Sequence, residues 1–98
     1  MAEKESKEKL IFDIFKNARK FRNIKTYQGA ESFKPKIRVS YSSSLDSLDM
    51  TIELITGDLI SMGVYLNSFD DDEVEMRLRY IIDLQNVLIR IFEDKSEE

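Results

Sequence analysis

The chain has 98 residues, no cysteine, no histidine and a formal charge of −4, with 42% hydrophobic and 35% charged residues. Such a chain builds one domain around a single core and has neither a disulfide framework nor a thiol or imidazole for nucleophilic or general-base chemistry. Its three glycines, at 29, 57 and 63, are too scattered for a phosphate-binding loop, so neither catalysis, a small-molecule substrate, a cofactor nor a metal is expected.

The opening run MAEKESKEKL alternates charges where a signal peptide needs an apolar stretch, and no segment approaches the length of a membrane span. These features predict a cytoplasmic or otherwise intracellular protein away from membranes. Leu10, Ile14, Phe21 and Ile24 then recur at helical spacing and predict a helix over 7–25. Ile11, Phe12 and Phe15 are left over on its other faces.

Residues 26–43 read as a loop containing one short strand, because Lys36 to Tyr41 alternates polar with apolar. With no strand expected elsewhere, this one is either an arm across the bundle or half of a ribbon paired with a second copy. A strand followed by helices resembles the ribbon-helix-helix DNA-binding arrangement over about residues 34–69. That resemblance would turn Lys36, Arg38 and Ser40 toward the major groove. It departs from the family pattern in a following helix twice too long, a 35-residue extension before the strand and a further apolar helix.

From Leu45 the apolar residues Leu48, Ile52, Ile55, Leu59, Met62, Leu66 and Phe69 follow at alternating steps of three and four. This heptad seam predicts one long helix over 44–68, started by the serines at 42–44 and crossing Gly57 without losing register. A break at Thr56-Gly57-Asp58 is the alternative. A second seam through Val74, Leu78, Ile81, Gln85, Leu88 and Phe92 predicts a helix over 72–93, with Asp70, Asp71 and Asp72 as caps. So short a connection makes the two helices antiparallel neighbours, with Gln85 falling near Ile55 or reaching solvent at the seam's edge. The expected fold is mainly α: a long antiparallel helical hairpin packed with an N-terminal helix, resembling a three-helix bundle, with the strand at 36–41 as an addition.

Charge and surplus apolar surface carry the functional expectations. Residues 1–40 hold eleven Lys/Arg against five Asp/Glu, whereas residues 41–98 hold four against fourteen. The basic residues Lys16, Arg19, Lys20, Arg22, Lys25, Lys34, Lys36 and Arg38 are the candidate contacts for a polyanion, with nucleic acid the alternative partner. Phe12, Phe15, Tyr80, Leu84, Val87 and Ile91 exceed what three helices can bury, and they are the candidate protein interface. The preferred expectation is a small helical interaction or adaptor protein that forms a homo-oligomer, a dimer first of all, or grips a protein partner.

Overall fold

The computed structural model describes residues 6–68 and 70–95. Helix α1 (Lys7–Asn23) is followed by a 3₁₀ turn (Glu31–Phe33), strands β1 (Lys36–Ser42), β2 (Ser47–Glu53) and β3 (Leu59–Tyr65), and helix α2 (Asp71–Phe92). The strands form one antiparallel sheet in the order β1-β2-β3. Three antiparallel strands leave β1 and β3 pointing the same way. Each helix reverses direction from the strand it adjoins, so α1 and α2 run parallel. Lys7 meets Asp71 at 3.0 Å near both helix starts, and the rings of Phe21 and Phe92 meet edge to face at 5.8 Å near both ends.

This architecture corrects the helical bundle. Residues 44–68 are the β2–β3 hairpin and not a helix, so there is neither a helical hairpin nor a coiled-coil seam. The residues of the supposed seam belong to a second pattern. Leu48, Met50 and Ile52, then Ile60, Met62 and Val64, recur every second residue, which puts each set on one face of a strand. Leu45, Ile55 and Leu59, which the heptad needs inside, are 59%, 60% and 64% exposed, while Phe69 lies outside the described residues. The break at Gly57 decides the matter. Its φ of +93° suits glycine, and it closes a three-residue turn in which its N–H donates to Leu54 O while Leu54 N–H donates to Asp58 O, both at 2.9 Å.

The strand expected at 36–41 is β1, but its partner is β2 of the same chain and not a second copy. That removes the ribbon on which the ribbon-helix-helix resemblance depended. Both helices cover the same face of the sheet, α1 against β1 and α2 against β3. The resulting two layers measure only 17 Å along the shortest principal axis. Between them lie Leu10, Ile14, Ala18 and Phe21 of α1, Ile37, Leu48, Met50, Ile52 and Val64 of the sheet, and Val74, Leu78, Ile81 and Ile89 of α2. The other sheet face is open and mostly polar, as alternation on a half-covered antiparallel sheet requires.

Local capping fixes the helix starts. Ser6 accepts a hydrogen bond from Lys9 N–H, and Asp70 accepts one from Glu73 N–H. On the open face, a Cβ at position 63 would come within 2.6 Å of Asp49 Oδ1, so Gly63 makes room for that carboxylate. Among the described residues no helix is long and apolar enough to cross a membrane.

Candidate binding groove

Hydrogen bonding in a sheet dictates what its edges offer. In an antiparallel pair, alternate residues turn N–H and C=O toward the partner, and those between turn them away. The Leu54–Asp58 bond and the bond from Leu66 N–H to Asp46 O, at 2.9 and 2.8 Å, bracket the β2–β3 ladder. They set the even-numbered residues of both strands as its bonded pairs. The odd-numbered residues of β2 therefore bond to the even-numbered residues of β1, through Lys36–Glu53, Arg38–Thr51 and Ser40–Asp49. Ile37, Val39 and Tyr41 are left pointing their main-chain groups out of the sheet.

That edge opens into a groove of about 830 Å³ between β1 and the second half of α1. Phe15, Ala18 and Phe21 form its apolar wall on the helix, and Pro35, Ile37 and Val39 form its apolar wall on the strand. Arg19, Arg22, Lys34, Lys36 and Arg38 line it as well, against the single acid Glu31. Helical spacing places Phe15, Arg19 and Arg22 on the flank of α1 turned to β1. Lys34 Nζ sits 5.0 Å from the centre of the Phe21 ring and donates to Arg22 O at 3.2 Å, which fixes its ammonium over the apolar wall. Arg38 reaches Glu53 only at 3.9 Å. Among the described residues Arg19, Arg22 and Lys36 have no carboxylate within ion-pair distance, so their charge is available to a ligand.

The expected polyanion contacts are thus divided. Arg19, Arg22, Lys34, Lys36 and Arg38 come together in the groove. Lys16 and Lys20 are exposed on other faces of α1, and Lys25 lies beyond its end, where its carbonyl accepts from Asp94 N–H at 2.8 Å. The expected protein interface is divided too. Phe15 belongs to the groove, Phe12 is exposed on α1, and Tyr80, Leu84, Val87 and Ile91 share a flank of α2, which packs against β3 instead of β1.

Acids gather away from the groove. Asp70, Asp71, Asp72, Glu73 and Glu75 occupy the start of α2, where Glu73 and Glu75 pair with Arg77 and Arg79 at 2.8 and 3.1 Å. Among the described residues no group of three or more His, Cys, Asp or Glu is placed to hold a metal ion.

One tyrosine is perturbed. Tyr41 donates its hydroxyl to Asp46 Oδ1 at 2.8 Å, and this bond to a neighbouring carboxylate raises the phenol above its ordinary value of 10.0. Asp46 itself holds a positive φ of 49° in the β1–β2 turn. Sequence reasoning missed the open strand edge, because it requires knowing that β2 pairs on one side of β1 only. No protein-family model matches the chain, and neither a curated protein nor a solved structure matches it significantly.

Proposed function

We propose that this is a binding module whose α1–β1 groove takes an extended, acidic segment of a partner protein as an added strand along β1. The observation that carries the reading is the coincidence of two features in one groove: the outward main-chain groups of Ile37 and Val39, and five cations facing one acid. Strand addition draws affinity from main-chain hydrogen bonds and specificity from alternate side chains. Here one set of ligand side chains would rest on Ile37 and Val39 and meet Phe15, Arg19 and Arg22 of α1, and the alternate set would reach Lys36 and Arg38 on the open face. A nucleic-acid strand would use the cations but leave the donors and acceptors of the strand edge idle.

A selection from a random peptide library on the immobilised full chain tests this. Selected peptides are expected to alternate Asp or Glu with apolar residues and to shift the amide resonances of Ile37 and Val39. They should lose at least tenfold in affinity to the K36E/R38E variant. Selection of peptides without acidic bias overturns the reading. So does tight, steeply salt-dependent binding of oligothymidylate in the same groove with no peptide selected, which instead identifies a single-strand site.

A further inference from the structure

The second open edge of the sheet is built on different chemistry. The same ladder that turns the even-numbered residues of β3 toward β2 turns the main-chain groups of Leu59, Ser61, Gly63 and Tyr65 outward. Exposed edges are ordinarily guarded by charge or proline. The β1 edge carries the cations Lys36 and Arg38, which repel any strand but an acidic one, whereas none of the seven residues of β3 is charged, in a chain of which 35% is.

The order of residues in β3 specifies what it can pair with. Read from both ends, Leu59-Ile60-Ser61-Met62-Gly63-Val64-Tyr65 runs large, branched, small, Met, small, branched, large. Folded about Met62, an antiparallel pair with an identical strand sets Leu59 against the partner's Tyr65, Ile60 against the partner's Val64, Ser61 against the partner's Gly63, and Met62 against itself. Small residues meet small ones, branched meet branched, and the large Leu59 meets the large Tyr65. The odd-numbered residues, whose N–H and C=O face outward, meet one another as bonded pairs.

The flank of α2 extends the match. A second groove along this edge places Met62 beside Met76 and Tyr80, which are 63% and 66% exposed. Val87 and Ile91 follow Tyr80 on the same helical face. A two-fold axis through Met62 brings Met76 and Tyr80 of both copies together and lets two chains of charge −4 meet across a strand that has none.

We propose that two copies of this chain join through antiparallel pairing of their β3 strands, making one six-stranded sheet. The inference is independent of the α1–β1 groove, which stays open at both ends of that sheet.

Sedimentation equilibrium on the full chain, with amide hydrogen exchange on the same sample, tests it. The expected mass is twice 11.5 kDa, with the Ser61 and Gly63 amides protected. Replacing Ser61 by proline removes an outward donor without touching the β2 ladder, and should return the mass to that of one chain. If that variant loses its circular dichroism, the M76E/Y80E double variant, which alters only exposed side chains, should give the same loss of dimer with the fold intact. A single-chain mass across the micromolar to millimolar range overturns the proposal. A dimer whose Ser61 and Gly63 amides exchange freely overturns it equally.

Discussion

Gln85 of α2 donates its Nε2 hydrogen to the main-chain oxygen of Ile14 in α1 across 3.0 Å, from a position with no solvent exposure. The bond ties the middle of one helix to the middle of the other and fixes how the parallel pair is set. It is an incomplete bargain, because Gln85 Oε1 is buried without a partner. The Ile14 carbonyl, by contrast, can still accept the regular helical bond if the glutamine is removed.

Replacing Gln85 by leucine or methionine should therefore leave stability unchanged or raise it by about 1–2 kcal/mol, since the burial cost of an unsatisfied oxygen disappears. Alanine at the same position should cost about 2–4 kcal/mol through the cavity it leaves. Urea unfolding with an unchanged m-value distinguishes the two outcomes.

Gly57 closes the β2–β3 turn at a φ of +93°, and a Cβ there would meet nothing within 4 Å. The cost of alanine is thus one of backbone conformation alone, about 1–2 kcal/mol, and asparagine should recover part of it. Thermal unfolding of the two variants measures the difference. Equal stability of alanine and glycine would show that the turn relaxes.

Phe21 and Phe92 meet edge to face where the two helices end, with Lys34 over the Phe21 ring. A double-mutant cycle of Phe21→Leu and Phe92→Leu should give a coupling of about 0.5–1.5 kcal/mol. Additive losses would mean that the ring geometry contributes nothing beyond burial.

Tyr41 should ionise above its ordinary value of 10.0, because the phenolate loses the bond to Asp46 and faces its charge. A raised value in the folded state means that this contribution to stability is complete below pH 10 and is lost as pH rises through the folded-state value. In absorbance at 295 nm, the D46N variant should shift one of the four tyrosines downward. An unchanged titration curve would place the Tyr41–Asp46 contact outside the solution structure.

The two helices were legible in the sequence because each keeps one period throughout. Leu10, Ile14 and Phe21 have a single reading, as do Val74, Leu78 and Ile81. The sheet was not, because Leu48, Ile52 and Met62 satisfy both a heptad and a strand alternation. Spacing alone cannot choose between those readings. Gly57 and the turn chemistry of Thr56-Gly57-Asp58, whose Thr56 hydroxyl bonds Asp58 at 2.7 Å, carried the deciding signal. The basic segment was visible as composition, but only the return of β1 alongside α1 separates the cations that converge from Lys16 and Lys20. Gln85 was expected near Ile55 or at a wet edge; it faces α1 instead, since α2 has no helical partner in residues 44–68.

The parallel setting of α1 and α2 also makes the core depend on both ends of the described chain. Lys25 and Asp94, 69 positions apart, are joined by a main-chain bond, and α1 buries Ile14 and Phe21 partly against a helix that follows all three strands. Without α2 the apolar residues of α1 and the sheet that pack on Val74, Leu78, Ile81 and Ile89 would be bare. The core is therefore closed by contacts of long sequence separation, which slow folding relative to a helical hairpin of the same length.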